Sequence, residues 1–286
     1  MAKLARHLEG LHDGERQSRQ RFFDIFDAGK DKLEYRSNRH QLLDPRQTEE
    51  LIVTTFVEST GRELVSADYG VTGCKFDVLD DVIRPKGAWS SASFWANYQF
   101  EGPDPSFNYS LALTMGKRPL QLLGGEKLKV CVNEHHWGSQ QHAVFSQTAS
   151  LATFLPTLVA HIADESAVHY QATLDMRDAM LEIDLTDAGC ARLLGEMLVQ
   201  RSDRGDKESL LGLMPENVVK KVAEDMRTPQ HAEFMRADGT RTLWTALQAT
   251  NYWTRFVAHQ QRGDAAAAVS EFFRPLVESR PSWLSA

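Results

Sequence analysis

His135 and His136 stand together behind Asn133-Glu134, with His142 a few residues further on. Imidazole nitrogens and a carboxylate oxygen suit zinc, iron or nickel. Adjacent residues of a strand point to opposite faces, so His135 and His136 cannot both serve one ion from a strand. A turn at Gly138 would bring His136 and His142 together, with Glu134 beside them. Glu134, His135, His136 and His142 are therefore the candidate metal ligands. The plainer reading is a polar strand end running into a loop, because no HExxH or HxxxH accompanies them. His161 and His169 lie eight apart, with Asp164 and Glu165 between them. The apolar run around His161 predicts a hydrogen-bonded core or boundary histidine.

A second group combines cations with rings. Arg84, Lys86 and Trp89 precede Phe94, Trp95 and Tyr98; Lys117 and Arg118 follow one expected strand; Lys127 and Lys129 alternate along the next. On neighbouring strands these would give one wet face, with cations for phosphates and rings for bases, which is how single-stranded nucleic acid is held. Ordinary solvated lysines beside core aromatics are the competing reading. Other chemistries lack their signatures. No GxSxG nucleophile, no GxxxxGK[ST] phosphate loop and no GxGxxG cofactor turn occurs. No cofactor is expected, and nothing demands an enzyme.

The elements that must carry these residues follow from pattern. The chain has 286 residues, 42% hydrophobic and 25% charged, with a net charge of −7. That is globular composition, not disordered or fibrous. Residues 1–47 form a charge-dense arm with ten Lys/Arg against eight Asp/Glu, and the remainder holds 22 against 31. The acidity therefore belongs to the body. In the arm, Phe22, Phe23 and Phe26 share one helical side; a helix packed on its own domain and an arm docking on a partner both fit.

Residues 48–138 alternate with period two and are punctuated by Gly and Pro, the mark of antiparallel strands. Strands are expected at 51–60, within 63–85, and at 91–102, 108–116 and 126–134. Thr48-Glu49-Glu50 offers an alternative for the first, a short helix reaching Val57. Residues 139–286 show three-to-four spacing and read as helices, packed with the β region as one domain. The closing RPSWLSA is expected to be loose. Sheet first and helices after is an α+β arrangement.

Cys74, Cys131 and Cys190 are odd in number and form no CxxC pair, which favours buried thiols in a reducing compartment. The first residues carry no apolar run of signal length, and no stretch of about 18 apolar residues occurs. A cytoplasmic protein without membrane contact is expected.

The run FNYSLALTMGKRPLQLLGGEKLKVCVNEHHWG (107–138) resembles the phage and plasmid family called domain of unknown function 932. Asn108 and Ser110 fall near its Asn-Ser-Tyr/His-Asp-Gly strand, and Cys131-Val132-Asn133 matches its Cys-x-Asn-Gly strand. Leu243-Trp244 is similar to its Leu-Trp helix start. Leu111-Ala112 and Glu134 depart from the pattern. The resemblance implies mobile-element cargo and, through that context, handling of DNA or interference with host defence.

The leading expectation is a non-enzymatic α+β protein that binds or anneals single-stranded DNA through Arg84, Lys86, Trp89, Lys117, Arg118, Lys127 and Lys129. The alternatives are a host-factor-binding protein that uses its acidic surface, and a metal-dependent enzyme. Assembly as a homo-oligomer is compatible with each.

Overall fold

Asp44 and Pro45 open a helix where a β-branched run had suggested a strand. In the computed structural model the chain begins with α1 (Ala2–Leu8), α2 (Asp13–Gly29) and α3 (Pro45–Thr60). The structure describes residues 2–29, 44–73, 75–79, 82–86, 92–103, 107–116, 120–128, 134–135, 141–145, 151–199, 216–251 and 262–286. At the start of α3 the Asp44 carboxylate accepts from the Arg46 amide at 2.8 Å, and Pro45 fills a position that needs no donor. Gly61, at φ 69°, closes the helix and donates to the Val57 carbonyl at 2.8 Å. The strand expected at 51–60 is thus corrected to helix. Thr54 and Thr60 turn their hydroxyls onto the Glu50 and Phe56 carbonyls one turn back. Ile52, Val53 and Phe56 form the buried side.

The strands that follow are β1 (Leu64–Thr72), β2 (Lys75–Leu79), β3 (Val82–Lys86), β4 (Ser93–Glu101), β5 (Phe107–Gly116), β6 (Leu120–Leu128), β7 (Glu134–His135) and β8 (Gln141–Phe145). β6 begins earlier than the strand expected at 126–134, because Gly124 and Gly125 continue it instead of breaking it; residues 129–133 of that expectation lie outside the described residues. The main sheet runs β1-β4-β5-β6, with β8 antiparallel to the first half of β6. β2 and β3 form a separate antiparallel hairpin between β1 and β4.

The alternation of β4 and β5 sorts their side chains cleanly. Phe94, Ala96, Tyr98 and Phe100 join Tyr109, Leu111, Leu113 and Met115 in the core. Helices α2 and α3 supply the other half of that layer. Phe22 and Phe26 meet Phe94 edge-on at 5.6 and 5.4 Å between centroids, and Phe56 lies against Phe100 at 4.2 Å and Tyr109 at 5.1 Å. Leu155, Val159 and Ile162 belong to the same core. They come from α4 (Leu151–Leu181). α2, from the charge-dense arm, is therefore a packed helix with Phe22, Phe23, Ile25 and Phe26 inside.

The chain divides into two compact units, residues 1–125 with 141–167, and residues 126–140 with 168–286. The second is helical: α5 (Asp187–Val199), α6 (Glu216–Arg227), α7 (Leu243–Asn251) and α8 (Arg262–Ser279). Every residue of α7 is buried, which makes it the centre of this unit. Trp244 donates to the Glu233 carbonyl at 3.2 Å and Thr245 to the Phe234 carbonyl at 2.6 Å, so its polar atoms are paired on entry. The closing segment is not loose. A 3-10 turn at Ser282–Leu284 buries Leu284 completely and docks beside the first turn of α5.

The N-terminal sheet and helical C-terminal half make this an α+β protein. Among the described residues no helix is long and apolar enough to cross a membrane.

Candidate nucleic-acid interface

The register of the sheet decides which of the candidate cations can meet. Thr72 pairs with Ser93, and Ser93 pairs with Gly116, so β1 ends, β4 begins and β5 ends along one edge of the first unit. The chain leaves this edge at Thr72 into the β2–β3 hairpin and returns at Ser93. Arg84 and Lys86 lie on that hairpin, and Lys117 and Arg118 directly follow Gly116 in the chain. Trp89, Lys117, Arg118 and Lys129 lie outside the described residues.

Within the hairpin, Lys75 is the register partner of Lys86, and Asp77 of Arg84. Ile83 packs against the core. The positions of Lys75, Lys86, Arg84 and Asp77 are on the opposite face of the hairpin, by the alternation of a strand. Lys75 was not singled out by sequence reading; its cross-strand position next to Lys86 is a product of register alone.

Lys127 belongs elsewhere. It belongs to the second unit, and its register partner is Glu134. A carboxylate position opposite an ammonium position is an ordinary stabilising cross-strand pair. Two of the rings expected beside these cations face inward. Phe94 and Tyr98 lie in the core, at 0% and 1% exposure.

The other face of β4 and β5 is largely polar and, apart from half-buried Trp95 and exposed Glu101 at the strand end, it too is buried. It carries Asn97 and Gln99 from β4 and Asn108, Ser110 and Thr114 from β5. Ser110 donates to Asn97 Oδ1 at 2.7 Å. Trp95, on the same face, lies over Gly70 of β1, where a Cβ would run into the indole ring. The alternation Trp95, Asn97, Gln99 against Phe94, Tyr98, Phe100 was the available signal for this face.

The candidate metal ligands are spread along the backbone. Glu134 and His135 form β7, opposite Lys127 and Glu126. His142 is on β8, opposite Leu123. His136 lies outside the described residues. Among the described residues no group of three or more His, Cys, Asp or Glu gathers as a metal site. His161 is exposed on α4, which corrects the core or boundary position expected for it; His169 is buried.

One charged cluster has no sequence signature. Glu49 of α3 is fully buried and receives Arg19 Nε from α2 at 3.1 and 3.0 Å and the Tyr69 hydroxyl from β1 at 2.6 Å. Burial, and then the Glu49 charge, push the Tyr69 and Tyr98 phenols well above their usual range. Arg19 also borders a cleft of about 300 Å³ between α1 and α2, with Leu8, Glu9 and Arg16. Arg16 donates there to the Leu11 and Glu9 carbonyls at 2.8 and 2.9 Å, so both guanidinium groups are engaged within the protein.

Compared with known protein families, with curated proteins and with solved structures, the chain matches none.

Proposed function

We propose that this protein binds single-stranded nucleic acid at the sheet edge where Thr72, Ser93 and Gly116 align, without catalysing a reaction. The observation that carries the reading is the register pair Lys75–Lys86. Like charges directly opposite on paired strands disfavour the pairing unless an anion shares them. A phosphate backbone is such an anion. Arg84, two positions along from Lys86, extends the cationic track, and Lys117 and Arg118 directly follow Gly116 of that edge in the sequence. Asp77, opposite Arg84, offsets one charge. Lys127 falls outside the proposed interface.

With about four effective cations, the affinity for a single strand should fall with a log–log salt slope of about −3. Fluorescence anisotropy with a labelled oligo-dT tests it. Saturable binding at low salt that weakens with this slope, and is lost in a Lys75→Glu, Lys86→Glu double variant, is the expected result. Absence of binding at low salt overturns the proposal, as does binding that the double variant leaves intact.

A further inference from the structure

The segment Arg280–Ala286 is held on the second unit by contacts that any copy of the same segment would make equally well. Thr186 donates its amide to the Leu284 carbonyl at 3.1 Å and its hydroxyl to the Ala286 carbonyl at 2.8 Å. Ser285 donates to the Asp184 carbonyl at 3.1 Å. Arg192 lies 4.7 Å over the Trp283 ring, and Leu284 is fully buried. Gly189 makes the seat possible, because a Cβ there would run into the Leu284 carbonyl.

The hinge of this segment is strained. Arg280 has φ 41°, and no other non-glycine described residue has a positive φ. A side chain in that region is disfavoured. The residue before a proline is, in addition, biased toward extended backbone, and Pro281 follows Arg280. The chain is held at this point against two local preferences by the helix-closing hydrogen bond from the Arg280 amide to the Leu276 carbonyl at 3.0 Å, by the docked tail and by the Arg280–Glu182 pair at 2.9 Å. Relaxing Arg280 to extended backbone relieves both, and it carries residues 281–286 away from their own α5.

We propose that residues 281–286 exchange between two copies of this chain, each tail seating beside Thr186 and Gly189 of the other. Every docking contact is kept in the exchanged pair. Two strained hinges become extended, at the cost of the exposed Arg280 contacts to Leu276 and Glu182, which water can replace, and of the freedom of two separate molecules. The exchange is reciprocal and closed, so it yields a dimer and not a filament.

Sedimentation velocity on the full chain over a wide concentration range tests this. A concentration-dependent monomer–dimer equilibrium is expected. Arg280→Gly removes the penalty for positive φ from the closed form, so it should raise the dimer dissociation constant at least about tenfold. Leu284→Ala weakens the seat equally in the closed monomer and in the exchanged pair, so it should leave the dissociation constant nearly unchanged, with circular dichroism confirming the fold; a dimer lost in this variant alone overturns the inference. A monomer at all concentrations overturns the inference. A dimer indifferent to Arg280→Gly overturns it equally, because the association then uses another surface.

Discussion

The Tyr69 hydroxyl donates to Glu49 Oε1 at 2.6 Å, tying β1 to α3 through a carboxylate with no exposure to solvent. Arg19 from α2 closes the other side of the same group. A buried charge of this kind is stable only with its partners in place, and three elements converge to provide them. The Arg19 and Arg46 guanidinium groups both stand over the Phe23 ring, at 4.6 and 4.5 Å, and Arg46 goes on to Asp27 at 2.8 Å.

Removal of the carboxylate should therefore be costly. Glu49→Ala leaves Arg19 and the Tyr69 hydroxyl without their acceptor and should lower stability by about 3–5 kcal/mol in urea denaturation. Asp27→Ala, at an exposed pair on the same two helices, should cost no more than about 1 kcal/mol. Equal costs would refute the view that burial separates the two pairs.

The raised phenols predict a steep alkaline limit. Tyr69 and Tyr98 stay protonated in the folded protein, whereas in the unfolded chain they lose protons near pH 10. Below that pH their contribution to stability is complete and flat. Above it the unfolded state binds fewer protons, so stability falls as pH rises, by about 2.7 kcal/mol per unit for two groups. Tyr98→Phe should halve the slope. Denaturation midpoints between neutral pH and pH 11 read this directly, and a slope that Tyr98→Phe does not change would contradict it.

The hydrogen bond from Ser110 to Asn97 predicts non-additive mutations. Ser110→Ala takes the donor from a buried amide oxygen and should cost about 1–3 kcal/mol. Replacing both partners with apolar side chains, Asn97→Leu with Ser110→Ala, should cost less than the sum of the single changes. Chemical denaturation of the four proteins gives the coupling energy; simple additivity would mean that the two groups do not act together.

Lys127 and Lys86 should behave differently toward oligonucleotides. Lys86→Glu is expected to weaken oligo-dT binding severalfold and to reduce the salt slope by about one. Lys127→Glu, opposite Glu134 in the second unit, should leave the anisotropy curve unchanged. A reversed ranking would move the interface to the second unit.

Local pattern and turn chemistry determined much of the architecture. The two-residue period of 91–102 and 108–116 placed β4 and β5 within one or two residues, and it already separated Phe94, Tyr98 and Phe100 from Asn97 and Gln99. The three-to-four spacing after residue 150 gave the helices, because burying one stripe of a helix needs only that spacing. At 51–60 the composition misled. β-branching is a weak preference, and the Asp44–Pro45 start with the Gly61 stop outweighed it.

What only the tertiary structure decided depends on residues far apart in the chain. Glu49 reads as an exposed first-turn acid until Arg19 and Tyr69, 30 and 20 residues away, arrive around it. Lys75 becomes the neighbour of Lys86 through hairpin register, and Lys127 becomes the neighbour of Glu134 in the same way. The tail 282–286 has no pattern that announces order. It is ordered because Thr186 and Gly189, about a hundred residues earlier, form its seat. Periodicity records which face of an element is buried; register and long-range docking record which elements meet, and no local preference carries that information.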